Sequence, residues 1–260
     1  MRQKIAALLL ATVLLPVQEC ERAEVRTGFS PQELLTYEST SVGGSLAHPG
    51  EGECRYAVTA EPVKGSLCLL EDGSFVYTPR EGKLGRDSFY YRCSDGSGEL
   101  SRENCVRIRI ERQTGGVHYE DMRGRGEAFA AARLSEAGLF TGEQLLGRYC
   151  FHPDRVVTRG EFLSICLRLS GRPILGTVQR TGLPDDEAIP VWMKSYVLSA
   201  SVQGIGVDRK ESFAEEEPIS RGEAAAVAGE LLGLCWDAEE PEATLDRAAM
   251  ARLLLDCLPG

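Results

Sequence analysis

Three arginines in the second half of the chain stand at the head of one shared pattern. From Arg159, apolar side chains fall at Phe162, Ile165, Cys166 and Leu169. The same steps from Arg221 reach Ala224, Val227, Ala228 and Leu231, and from Arg247 they reach Met250, Leu253, Leu254 and Cys257. Residues three, six, seven and ten places along lie on one stripe of an α-helix, so each segment predicts an amphipathic helix. A pattern that recurs three times is an internal repeat, and it restricts this half to stacked copies of one helical unit.

The residues before each stripe explain why a helix starts there. Thr158-x-x-Glu161 and Ser220-x-x-Glu223 are capping boxes. The hydroxyl accepts from the amide three residues on, and the glutamate reaches back to the amide of the capping residue. Each arginine is then the first helical residue. Its guanidinium would lie beside unbonded backbone N–H groups and the positive end of the helix dipole, a setting that suits a ligand carboxylate or phosphate. Pairing with a nearby Asp or Glu accounts for the same pattern equally well. The copies are unequal: 62 residues separate Arg159 from Arg221, and 26 separate Arg221 from Arg247. The third copy is therefore too short for a preceding helix of its own. Ala249 stands in place of its capping glutamate, although Asp246 can still cap.

The first half has a different period. Arg55–Val58, Ser66–Leu69, Ser74–Tyr77, Asp87–Cys93 and Asn104–Ile110 read as short strands, broken at Pro62, Asp72-Gly73, Pro79 and Asp95-Gly96. Val106, Ile108 and Ile110 share one face, with Cys105, Arg107 and Arg109 on the other. Several short alternating strands predict a β-sandwich. Strand parity points Cys54 and Cys93 inward and Cys68 and Cys105 outward, so Cys54–Cys93 and Cys68–Cys105 are the parity-allowed disulfides; Cys54 and Cys93 fit equally well as small buried hydrophobes.

Arg2 and Lys4 followed by the apolar run Ile5–Leu15 and Pro16 read as a signal peptide over residues 1–23, a run too short to span a bilayer. Cys20 offers an alternative lipid-attachment point, although Glu19 rather than a small residue precedes it. An exported chain permits disulfides. The cysteines have no C-x-x-C spacing and the three histidines (His48, His118, His152) are scattered, so no metal or other cofactor is expected. A net charge of −10 makes nucleic acid and anionic membranes poor partners. No Gly-x-Ser-x-Gly, Ser-x-x-Lys or Cys/His/Asn arrangement is present, and acidic runs such as Asp185-Asp186 and Glu215–Glu217 read as solvated loops, so an enzyme is not expected.

Two resemblances sharpen this reading. Gly65-Ser66-Leu67, Asp72–Pro79, Gly85–Phe89 and Ser94-Asp95-Gly96 resemble the Ig-like and cadherin-like modules of bacterial surface proteins, which act as spacers or adhesive units. Tyr119-Glu120-Asp121, Phe151-His152-Pro153-Asp154 and Thr158-Arg159-Gly160-Glu161 resemble one S-layer-homology (SLH) repeat. Pro184-Asp185-Asp186, Ile189–Trp192, Ser212-Phe213 and Ser220-Arg221-Gly222-Glu223 resemble a second, and Leu245–Ala249 the end of a third. The expected architecture is multidomain: an all-β Ig-like or cadherin-like sandwich (29–111), a linker (112–117), and an all-α SLH helical bundle with repeats at 118–171 and 182–234 and a truncated repeat at 235–260. The SLH resemblance implies a pseudo-threefold arrangement whose grooves bind secondary cell-wall polysaccharide, often at a pyruvylated sugar. It assigns Arg159, Arg221 and Arg247 to the acidic group and Trp192 to sugar packing, and it places Gly126 about where repeat one should carry a tryptophan. The implied protein is secreted, held non-covalently at the cell wall, and not integral to the membrane. A degenerate SLH bundle that docks a protein partner is the alternative, and a cell-wall hydrolase has the least support.

Overall fold

The computed structural model describes residues 32–46, 54–94, 100–208, 210–238 and 240–258; the signal segment, Cys20, His48 and the Asp95-Gly96 turn lie outside them. The first half forms strands β1 (Gln32–Tyr37), β2 (Val42–Ser45), β3 (Arg55–Ala60), β4 (Gly65–Leu69), β5 (Ser74–Pro79), β6 (Gly85–Ser94) and β7 (Asn104–Glu111). One sheet has the order β1-β7-β6-β3 and the facing one β2-β5-β4. β1 runs parallel to β7, and the other pairs are antiparallel. Alternation buries Val106, Ile108 and Ile110 with Phe75, Tyr77 and Phe89 between the sheets. Asp72-Gly73 turns β4 into β5, with Gly73 at φ 84°. Asp87 ties the end of the sandwich by accepting from the amides of Val63 and Lys64 (3.0 and 2.8 Å) and from the Tyr77 hydroxyl (2.7 Å).

The cysteine pairs are placed differently. Tyr56 is directly opposite Cys93 across β3 and β6, so Cys54 lies diagonal to the buried Cys93. Cys68 is exposed on β4 and Cys105 sits on the outer face of β7, on opposite sheets. The outer faces of sheets stacked about 10 Å apart point away from each other, which is beyond disulfide reach. The expected Cys68–Cys105 pairing is thus corrected.

The second half departs from the all-α expectation and is mixed. It holds helices α1 (Ala128–Glu136), α2 (Arg159–Ser170), α3 (Val191–Gln203), α4 (Arg221–Leu232) and α5 (Arg247–Leu254), single 3-10 turns at Glu120–Met122 and Leu255–Cys257, and an antiparallel ribbon of β8 (Glu143–Leu145) and β9 (Arg148–Cys150). Between the helices the chain runs through turns and short extended segments, whose backbone pairing is made between repeats instead of within a helix. α2 packs on both α3 and α4, and α1 packs on α5. Phe162, Ile165, Cys166, Ala224, Ala228, Leu231, Met250 and Leu254 meet in one core, with Leu169, Val227 and Leu253 at its margin.

The extended segments meet in a ring. The amide of Val157 donates to Leu245 O (2.8 Å), that of Leu245 to Ile219 O (3.0 Å), and that of Ile219 to Val157 O (3.0 Å). All three side chains are buried. Each of these residues lies two places before one of the three arginines, so the ring is a pseudo-threefold axis. Outer shells follow the same cycle. The amides of Arg159, Arg221 and Arg247 donate to the carbonyls of Glu217, Ala243 and Arg155 (2.9, 2.8 and 3.0 Å). Those of Gly160, Gly222 and Ala248 donate to Glu215, Pro241 and Pro153 (3.0, 2.8 and 3.0 Å). Even the strained positions repeat: His152, Ala214 and Glu240 have φ of 54°, 53° and 52°, and each accepts at its carbonyl from the amide three residues on.

Truncating Leu245 to Ala at the ring should cost about 2–5 kcal/mol in denaturant unfolding, while Val202→Ala on the exposed side of α3 should change stability by less than about 0.5 kcal/mol.

Candidate functional site

The rim of the ring carries the cap residues and the three arginines. Thr158 Oγ1 accepts from Glu161 N and Ser220 Oγ from Glu223 N (both 3.2 Å), while Glu161 Oε2 accepts from Thr158 N (3.1 Å) and Glu223 Oε2 from Ser220 N (3.0 Å). Asp246 caps α5 at the amide of Ala249 (2.7 Å). These caps and the ring bonds occupy the first amides of α2, α4 and α5. The unbonded N–H groups expected beside each arginine are therefore already used, and only the guanidinium is left to meet a ligand.

Each capping glutamate has a second oxygen, and it faces an arginine of a different repeat. Arg159 Nη2 bonds Glu223 Oε1, and Arg159 Nη1 donates to Phe213 O (3.3 Å). Arg247 Nη2 donates to Glu161 Oε1 (3.4 Å). The cycle breaks at its third step, because Ala249 holds the place of the glutamate that Arg221 would meet. Arg221 instead lies 3.7 Å from the carboxylate of Glu240, which is 80% exposed.

The three arginines thus differ in environment. Arg247 is 3% exposed. It donates to Phe151 O (3.1 Å), lies 3.7 Å from Glu143 and stacks 4.7 Å from the Phe140 ring centre. Its role is structural: it is a buried charge held by a carboxylate, a carbonyl and an aromatic face, and its expected place on a ligand surface is corrected. The side chains of Arg159 and Arg221 are 32% and 30% exposed. Trp192, in the first turn of α3, is 62% exposed and meets Tyr196 edge-on at 6.4 Å. Its neighbour Met193 packs where a side chain on Gly160 would stand, and Pro241 does the same at Gly222. A side chain on Gly160 or Gly222 would therefore press on these neighbours.

Some residues of the site carried no role in the sequence reading. Asp121 accepts from the amides of Phe151 and His152 (2.9 and 2.7 Å), and Asp185 accepts from Ala214 N (2.8 Å). These aspartates hold the left-handed loops in place. The motif Tyr119-Glu120-Asp121 was visible in the sequence, but its long-range partners were not. Glu143 gathers Arg155 and Arg247 and faces His152 at 3.5 Å. A cleft of about 380 Å³ opens over Asp121, Arg125, Glu143, His152 and Arg155. Its charges are internally paired, as in the two 2.9 Å bonds from Arg125 to Asp154. Among the described residues, no cluster of His, Cys, Asp and Glu could hold a metal ion, and no helix is long and apolar enough to cross a membrane.

A family match lies in the first half of the chain. Residues 30–106 match the bacterial Ig domain family (Big_9). No curated protein matches the chain. Among solved structures, a PKD domain from the KIAA 1837 protein is similar at 16% identity, over 33% of this chain and 85% of that one, with a TM-score of 0.26. An endo-fucoidan hydrolase of glycoside hydrolase family 107 is similar at 16% identity, over 36% of this chain and 14% of that one, with a TM-score of 0.27. CopC from Methylosinus trichosporium OB3b follows at 9% identity, over 33% and 89%, with a TM-score of 0.23.

The Arg159–Glu223 contact has a pH signature. Burial raises the Glu223 carboxyl, but the bonds from Arg159 and from the Ser220 amide outweigh it, so the group titrates below the ordinary glutamate range. A carboxyl depressed in the folded state stabilises above its unfolded pKa of about 4.3 and loses that stabilisation as pH falls through the folded value. The melting difference between the wild type and Glu223→Gln should be constant from pH 8 to 6 and shrink below about pH 4, as followed by circular dichroism.

Proposed function

We propose that this chain is a non-catalytic bacterial surface protein whose second half binds an acidic wall polysaccharide through Arg159 and Arg221. The observation that carries the reading is the pair of partly exposed guanidiniums on the rim of the ring, together with an exposed tryptophan in the first turn of α3. An arginine fork matches a carboxylate in two bonds, and an indole face packs on the apolar side of a sugar ring. The SLH-like order of motifs, now set on a mixed α/β ring, supports a pyruvylated secondary cell-wall polymer as the ligand. The bacterial Ig module at residues 30–106 supports a surface or adhesive setting, which in turn favours export through the apolar N-terminal segment.

The arginines are not equivalent ligands in this proposal. Arg221 faces a solvated glutamate across 3.7 Å, with its own side chain 30% exposed. Arg159 must exchange its bond to Glu223 to meet a ligand. Arg247 supports the fold. Docking of a protein partner is the second reading, favoured by the exposed Val191, Trp192 and Val202 on α3.

Sedimentation with purified wall polysaccharide tests the proposal. Arg221→Ala and Arg159→Ala should each remove a charge-assisted contact of about 1.5–3 kcal/mol, a tenfold to hundredfold loss of affinity. Free pyruvylated sugar should compete, and de-pyruvylated material should bind weakly. Unchanged sedimentation of both variants would sink the assignment, and binding that the sugar does not compete for would favour the protein-partner reading.

A further inference from the structure

The β-sandwich is not a bead on a tether. Phe129 and Ala132 of α1 belong to the sandwich core, alongside Tyr37, Phe75, Phe89 and Ile108. The Phe129 ring meets Tyr37 edge-on at 5.0 Å. Backbone bonds cross between the halves: Gly43 N donates to Gly126 O (2.8 Å), and Phe129 N donates to Ser41 O (3.1 Å). Ser41 Oγ accepts from Gly124 N (3.1 Å). At the far end of α1 the Tyr37 hydroxyl donates to Glu136 Oε2 (2.5 Å) and accepts from Arg133 (3.2 Å). A sheet edge and a helix start thus satisfy each other's backbone groups around shared apolar side chains, as elements within one domain do.

Two glycines meet backbone to backbone at this junction. A Cβ on Gly43 would lie 2.9 Å from Gly126 Cα, and one on Gly126 would lie 3.0 Å from Gly43 Cα. The position is informative. α1 and α3 close with the same bond, from Leu139 N to Leu134 O (3.0 Å) and from Ile205 N to Ala200 O (2.9 Å). Counting back from these bonds aligns Gly126 with Trp192. Where repeat two displays an exposed indole, repeat one has no side chain and holds β2 instead.

We propose that the Ig-like sandwich is a permanent intramolecular partner of the first repeat, seated where that repeat would otherwise present an aromatic residue to a ligand, and that the two halves fold as one body at a fixed angle. The sandwich is then neither a flexible spacer nor an excisable module. This inference stands on the contacts above, whether or not the second half binds wall polymer.

The test uses the full chain with a specific protease site inserted between Arg112 and Gln113. After cleavage, the two fragments should co-elute in size-exclusion chromatography at micromolar concentration and melt in a single transition. Gly126→Trp in the same background should weaken their association at least a hundredfold. Fragments that separate on cleavage, each keeping the near-ultraviolet circular dichroism of its part, would overturn the proposal. Because Gly126→Trp can fail to fold, hydrogen exchange on the unaltered chain gives a second readout. The amides of Gly43 and Phe129 should exchange as slowly as that of Ile108 in the sandwich core. Exchange a hundredfold faster at both would show that the halves part independently, and would equally overturn it.

Discussion

The second half depends on three backbone hydrogen bonds that close on themselves. Val157, Ile219 and Leu245 each give one amide and take one at the carbonyl, and none has a partner within its own repeat at that point. An extended segment buried at the centre of a domain would strand polar groups without such pairing. The ring supplies the pairing, fixes the register of all three helix starts, and lets one stripe per helix reach a common core. The repeated left-handed residues at 152, 214 and 240 follow from it. Each loop must turn sharply to deliver its carbonyls to the next helix, and the surrounding bonds hold a backbone conformation that costs of order 1–3 kcal/mol outside glycine.

Superimposed on this symmetric frame is an asymmetric set of charges. A glutamate that caps its own helix with one oxygen and neutralises a neighbouring arginine with the other does two tasks with one side chain. Glu223 and Glu161 both do so. The substitution by Ala249 removes one such link, leaving the cap to Asp246 alone and handing Arg221 to a solvated partner. A fold that is threefold in its backbone is thereby singular in its electrostatics.

What the sequence disclosed follows the range of the interactions. The capping boxes were legible because a hydroxyl and a glutamate three residues apart meet within one turn. The sandwich was legible from β3 onward because alternation along Asn104–Ile110 mirrors a half-buried sheet. β1 and β2 were missed: Leu34 and Leu35 are adjacent rather than alternating, and β2 is rich in glycine because Gly43 faces Gly126. The all-α expectation failed because the ring is built from single residues in extended segments, too short to leave any period. Arg247 was misjudged for a related reason. Its motif matches the other two, and only Phe140, Phe151 and Glu161, distant in the chain, reveal that it is enclosed.

A closed ring also imposes an order in time. Two of its three members, Val157 and Ile219, can meet as soon as residue 219 exists, but the circuit is incomplete until Leu245 has been added. Up to that moment the amide of Val157 and the carbonyl of Ile219 have no partner in the circuit. The sandwich strands precede all of this, yet their core awaits Phe129. As the chain grows from its N-terminus, completion of the native state is therefore deferred in two stages, first to α1 and then to the head of α5.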